Sequence, residues 1–371
     1  MDKNIVGYVS QYCNDSFDKR PFCKEDALVL CQFSYLKFDE LLPETNGIPM
    51  SLSKMVASEK FDTLFSDFRY EKDNRDLFDA VYFSRRFCLM EVCFYINRIE
   101  TKQETQFSAI TFLLPDTVPV VIFRGTDENI VGWQEDFRLS LARPIEGQKL
   151  SVEYICNVHD YFNEQLMLGG HSKGGNLALY SMMNCPNKIS DSIKTVFSFD
   201  APGFRPEVLK EYDYDSIKDK IVSVIPRSSV VGMLLSGAED SLVVEAKTFG
   251  VSQHNPYNWV IEEKTMVETE LSDKHKVLLK SVNQWILSLD ENTLERLVAL
   301  CEEALEDTGA DSTLDFYKEK LKYFSTVVKN SKEFDDNTKK FVQKIIKSFM
   351  EIAYENVKNE LGINKSKKAG K

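Results

Sequence analysis

Gln165-Leu166-Met167-Leu168-Gly169-Gly170-His171-Ser172-Lys173-Gly174-Gly175-Asn176-Leu177-Ala178-Leu179-Tyr180 runs an apolar stretch into a glycine-flanked serine and then into a helix-compatible stretch. The middle, Gly170-His171-Ser172-Lys173-Gly174, fits G-x-S-x-G, and the context gives the pattern weight: a strand before it and a helix after it. A sharp strand-to-helix turn holds its serine in a strained backbone, and residues without side chains are needed where strand and helix crowd together. Gly169, Gly174 and Gly175 supply that room. Such an elbow presents the hydroxyl of Ser172 at the carboxyl edge of a sheet, beside a helix N-terminus. The plainer alternative is a tight structural turn.

The flanking sequence agrees with a sheet of this kind. FCLMEVCFYINRI (87–99), QFSAITFLLP (106–115) and PVVIFRG (119–125) are short β-branched and aromatic runs, and further strands are predicted at 195–199 and 221–225 with helical patterns between them. Strand alternating with helix predicts a mainly parallel sheet with helices on both faces, an α/β fold. Residues 1–24 read as a polar N-terminal segment, 24–38 as a first helix, and 25–270 as the domain that carries the elbow. From 271 to 362 the pattern is helical: one helix over 272–289, a capping-box start at Asn292 with Glu295, another start at Ser312 with Asp315, and a run from 338 to 361. The tail, 363–371, is expected to be disordered.

Composition bounds the function. The chain has 371 residues, 43% hydrophobic and 28% charged, with a net charge of −12. That acidic balance opposes a nucleic acid, or an anionic membrane surface as the main partner. No apolar run is long enough for a transmembrane segment, and the start, MDKNIVGYVSQYCND, has neither the basic nor the apolar region of a signal peptide, so the expected setting is cytoplasmic. The eight cysteines form no C-x-x-C pair and read as reduced core residues.

A serine nucleophile needs a base, and there are four histidines. His171 adjoins the serine on the turn, so its side chain is expected to point away. His159 lies in the helix before the elbow strand, and His275 lies among lysines, where a solvated surface histidine is the natural reading. His254, in a loop beyond the last predicted sheet strands, is the expected base. The acid that orients it should follow a strand after the elbow, and Asp200, at the abrupt end of strand 195–199, has that position; Asp240 and Asp215 are fallbacks, and a turn-capping role for Asp200 is the alternative. Oxyanion donors are expected from the backbone N–H groups of Lys173 and Thr126, the latter also offering its hydroxyl. The alternative there is an Arg124 that pairs with an acid and a Thr126 that turns the chain. Val230–Leu235 (VVGMLL) suits either an acyl-pocket wall or lid, or a buried helix turn.

Phe123-Arg124-Gly125-Thr126, with Trp133 and Asp136, resembles the F-R-G-[ST] and W-x-x-D run of class 3 (fungal-type) lipases over residues 105–180. More closely, GHSKGGNLA (170–178), DAPGF (200–204), IPxSSVVGMLL (225–235) and HNPYNW (254–259) resemble the Mbeg-like bacterial hydrolase-fold family over roughly 24–290. The resemblance implies an α/β-hydrolase fold and a Ser/Asp/His site, without a substrate. Class 3 lipases place their acid in an Asp-x-Val-Pro run, and here that stretch is Ser223-Val224-Ile225-Pro226, which contains no Asp. The expectation is therefore a serine esterase or lipase built on Ser172, His254 and Asp200, with no metal or cofactor and a small-molecule or lipid ester as substrate. Its C-terminal helices are a candidate surface for a homo-oligomer. The alternatives are a non-catalytic binding or scaffold protein, and a peptidase or acyltransferase that uses the same site.

Overall fold

A computed structural model describes residues 3–43, 47–67, 70–100, 105–126, 135, 138–139, 141, 143–212, 214–235, 240–271, 273–306 and 336–360. Among them runs an eight-stranded sheet in sequence order: β1 (Met50–Ser51), β2 (Glu91–Glu100), β3 (Thr105–Leu113), β4 (Val120–Phe123), β5 (Leu166–His171), β6 (Ile193–Phe199), β7 (Ile221–Pro226) and β8 (Leu242–Val244). The first four pair antiparallel and the last five parallel, with β4 common to both halves. The antiparallel pairings of β2 with β3 and of β3 with β4 follow from chain length, because the four residues 101–104 and the six residues 114–119 are too few for a crossover helix.

Side-chain alternation sorts the strands onto two cores. Val120 and Ile122 of β4, with Ile110 and Phe112 of β3, face a cluster that includes α1 (Ile5–Tyr12), α2 (Lys24–Phe33), α3 (Leu52–Val56) and α4 (Glu71–Phe83). Val121 and Phe123, with Phe107 and Ala109, face the opposite cluster, which holds α5 (Glu146–Phe162), α6 (Lys173–Asn184), α7 (Asn187–Ser192) and α8 (Pro206–Glu211). Helices therefore cover both faces, and the fold is of the α/β-hydrolase class.

Two local readings change. Residues 3–24 are not simply polar, because α1, capped by the Asn4 side chain on Gly7 N at 3.1 Å, places Ile5, Tyr8 and Val9 in the first core. These three residues form a single i, i+3, i+4 patch, too short to stand out against polar neighbours. The helix expected to start at Asn292 starts at Glu291, because Asp290 accepts the Thr293 N–H at 2.9 Å and its hydroxyl at 2.7 Å. Asp290 offers a carboxylate in the cap position, which suits the positive end of the helix better than an amide.

The C-terminal helices are α9 (Asp273–Ser288), α10 (Glu291–Glu306) and α11 (Asp336–Glu360). Helix α11 lies along α9: Trp285 Nε1 donates to Ser348 Oγ at 3.1 Å, and Asn356 Nδ2 donates to Gln284 Oε1 at 2.7 Å. Leu289, Leu294 and Ile345 close a small third core together with Leu141. The expected helix start at Ser312 and the tail 363–371 lie outside the described residues, as do Trp133 and Asp136.

Candidate active site

Strand β5 ends at His171, and Ser172 turns the chain into α6 with φ 58° and ψ −132°. A β-carbon in that region is costly, and the turn is held by hydrogen bonds on both sides. Ser172 N donates to Phe199 O at 2.9 Å, and Gly175 N donates to Ser172 O at 3.0 Å. Side chains are excluded around it: a β-carbon on Gly174 would overlap the Phe123 carbonyl. One on Gly125 would lie 3.0 Å from Ser172 Cβ and 2.6 Å from the His171 carbonyl, so the Arg124-Gly125-Thr126 loop lies directly against the serine. Thr126 is half-buried at that end of β4, and Lys173 opens α6.

Asp200 follows β6, also with positive φ (46°), and is buried. Its backbone N–H donates to Val224 O at 2.8 Å, so the stretch lacking the class 3 aspartate anchors Asp200 through a carbonyl. Asp200 Oδ2 accepts from His254 Nδ1 at 2.7 Å; Oδ1 accepts from Gly232 N at 3.0 Å and from the Ser229 hydroxyl. With Nδ1 as donor, His254 carries its lone pair on Nε2. Asp240 and Asp215 are both exposed at the surface and share Lys218, at 3.6 and 3.1 Å.

His171 has a partner on each ring nitrogen. Nε2 donates to the His254 carbonyl at 2.8 Å, and Nδ1 accepts from the Tyr35 hydroxyl at 3.1 Å. Its ring lies 4.5 Å from that of His254. Burial, and next the neighbouring His254, push its pKa down to about 3. An unfolded chain titrates histidine near 6.5, so between about 6.5 and 3 the unfolded state takes up a proton that the folded state refuses. Stability is therefore full above pH 6.5 and falls as pH drops toward 3. Between pH 7 and pH 5 this group alone removes about 2 kcal/mol. Urea denaturation at both pH values should show that loss in the wild type and a correspondingly smaller one in His171→Gln; equal losses would mean that His171 is not their source.

The Lys173 side chain points inward, where Nζ donates to Glu135 Oε2 at 2.7 Å and Gln106 O at 2.9 Å, with both charged groups buried. Glu135 also accepts from Gly147 N at 3.1 Å and so ties α6 to the start of α5. On the other side, Asn176 Nδ2 donates to Pro202 O at 3.0 Å, fixing the chain that leaves Asp200.

Several contributors had not been read from the sequence: Tyr35, Glu135, Ser229, Gly232 and His275. Ser229 and Gly232 lie within the 225–235 run, and a hydroxyl and a glycine between acid and base were an available signal. His275 is not a solvated surface side chain, because Nε2 lies in hydrogen-bond contact with the Ser229 carbonyl. Asn283, from the same helix, donates to Met233 O at 2.7 Å and accepts from Leu235 N at 2.9 Å. Thus α9 grips both ends of the loop whose middle holds Asp200.

A serine on a strained turn at the carboxyl edge of the parallel half of the sheet, in a fold that also bonds a loop histidine to a buried carboxylate after the next strand, defines an α/β-hydrolase-type protein. The Mbeg1-like family model matches residues 81–301, and the chain belongs to that family. Among solved structures, the chain is similar to M37 lipase, with 12% identity, a TM-score of 0.37, and coverage of 71% of this chain and 80% of that one. It is also similar to a deletion mutant of the Rhizomucor miehei lipase propeptide complex, with 15% identity, a TM-score of 0.35, and coverage of 53% and 69%. No curated protein matches it.

Proposed function

We propose that the chain is a serine hydrolase of the esterase or lipase kind. His254 Nε2 takes the proton from Ser172 Oγ, which attacks the carbonyl carbon of an ester. The resulting oxyanion is held by the N–H groups of Lys173 and Thr126. Collapse expels the alcohol, which receives the proton from His254, and leaves an acyl-enzyme on Ser172. Water, deprotonated by His254, then attacks the acyl carbon; the bond to Ser172 Oγ breaks, Oγ takes back the proton from His254, and the carboxylic acid leaves. Asp200 fixes the imidazole with its proton on Nδ1 and stabilises the imidazolium. The reading invokes no metal or cofactor and takes a small-molecule or lipid ester as substrate.

The observation that supports it most is the 2.7 Å contact between His254 Nδ1 and Asp200 Oδ2. A buried carboxylate with three donors aimed at it is an expensive arrangement to build around a histidine with no task. A cytoplasmic setting belongs to the same reading, since Cys13, Cys23, Cys31, Cys88, Cys93, Cys156 and Cys185 are free thiols. So does the division at residue 270, with α9 now a brace for the acid's loop.

Turnover of p-nitrophenyl esters graded from acetate to long acyl chains tests the proposal. Hydrolysis of at least one member by the wild type is expected. A folded protein inert on all of them would leave the non-catalytic scaffold reading in its place.

A further inference from the structure

Helix α11 has one packed face and one exposed apolar face. One carries Ile345, Ser348 and Asn356 and packs on α9 and the third core. The other carries Ile346, Met350, Tyr354 and Val357, which are 57%, 60%, 66% and 48% exposed. At 100° per residue these four fall within about 80° of arc, a continuous stripe rather than scattered apolar residues. Lysines lie along one edge of it: Lys347 is exposed and pairs with Glu351 at 3.8 Å, and Lys358 Nζ, which pairs with Glu355 at 3.5 Å, lies 5.9 Å from the centre of the Tyr354 ring. Lys340 falls on the same edge by helical spacing.

The charge of this region opposes that of the whole. Residues 336–371 contain nine lysines and four acidic residues, a net charge of +5 within a chain whose total is −12. The rest of the chain, residues 1–335, therefore carries −17, the total of −12 less this +5, and the excess of positive charge lies in the C-terminal stretch of the sequence. Four of these nine lysines, Lys365, Lys367, Lys368 and Lys371, lie in 361–371, outside the described residues, and 336–360 by itself holds five lysines and four acids.

We infer that α11 is a docking face for an anionic lipid bilayer: the Ile346–Val357 stripe enters the interface and the neighbouring lysines meet the headgroups. An apolar stripe edged by lysines is the pattern of an interfacial helix, since long cationic side chains reach headgroups while their stems lie along the acyl boundary. A second copy of the chain fits less well. One side chain wide and about 17 Å long, the stripe offers on the order of 200 Å², against the roughly 800 Å² per partner of a stable dimer. The inference does not depend on the hydrolase reading, because it rests on none of the residues assigned to chemistry.

The test uses the full-length protein in vesicle flotation, with phosphatidylcholine alone and with about 30% phosphatidylserine. Wild-type protein is expected to float with the anionic vesicles only, and to be released at about 0.5 M salt. Two double variants, Met350→Glu with Tyr354→Glu and Lys340→Glu with Lys347→Glu, are each expected to lower binding at least about tenfold with an unchanged circular dichroism spectrum. All four positions are in solvent, and Met350→Gln serves where a glutamate costs helicity. No flotation of the wild type, equal flotation with neutral vesicles, or undiminished binding of both variants overturns the inference. So does a wild-type dimer in light scattering that the Met350/Tyr354 variant converts to monomer, which would assign the stripe to a second copy.

Discussion

Ser172→Ala is expected to lower ester turnover by about 10⁶-fold while leaving the thermal melting midpoint in place. The size of the effect follows from what is removed. Without Oγ no acyl-enzyme forms, and only the oxyanion donors and bound geometry remain to assist direct attack by water. Folding should be indifferent, because alanine at φ 58° meets the same β-carbon strain as serine and the turn is held by backbone groups of Phe199 and Gly175. Initial rates on the best p-nitrophenyl ester and a melting curve on the same preparations decide it. Retention of a tenth of the wild-type rate would remove Ser172 from the nucleophile's role.

Asp200→Asn should lower kcat by about 10⁴-fold with little change in KM. Ser229 and Gly232 both point at Oδ1, so an asparagine can keep its oxygen there and turn its amide toward His254 Nδ1. That amide donates where the carboxylate accepted, and the imidazole proton must move to Nε2, the atom that has to receive the serine's proton. Substrate binding does not involve this contact, hence the unchanged KM. Asp240→Asn, at the exposed partner of Lys218, should leave the rate within about twofold, as expected for a surface pair. Full activity in Asp200→Asn would show that His254 is oriented by something else.

The elbow was legible in the sequence because strand, turn and helix signals sit next to one another, and because three glycines mark where backbone meets backbone. His254 emerged from the scarcity of histidines and from its place after the sheet. Asp200 emerged from the abrupt end of β6. Each of these residues is announced by its immediate neighbours. What surrounds them was not legible for the opposite reason. Ser229, His275 and Asn283 belong to a contact between a loop and a helix far apart in the chain, and His275 among lysines carries no local mark of the carbonyl it meets. Tyr35 reaches His171 from α2's C-terminal end across 136 residues. The N-terminal helix shows the same limit: Ile5, Tyr8 and Val9 are too few to advertise a core position, yet each is nearly inaccessible once α2 and α4 close over them. Periodicity reports which face of an element is buried, and only the assembled fold reports what lies against it.

Fluorophosphonate labelling followed by peptide mapping tests most directly whether Ser172 is an activated nucleophile. The reagent reacts with a serine whose proton is taken by an adjacent base and whose developing oxyanion is held, and it requires no knowledge of the natural ester. The expected result is one stoichiometric adduct on the peptide containing Ser172, absent from Ser172→Ala and strongly slowed in Asp200→Asn. A folded wild-type protein that takes up no probe, or takes it up on a different serine, would contradict the assignment of Ser172, His254 and Asp200 as a catalytic set.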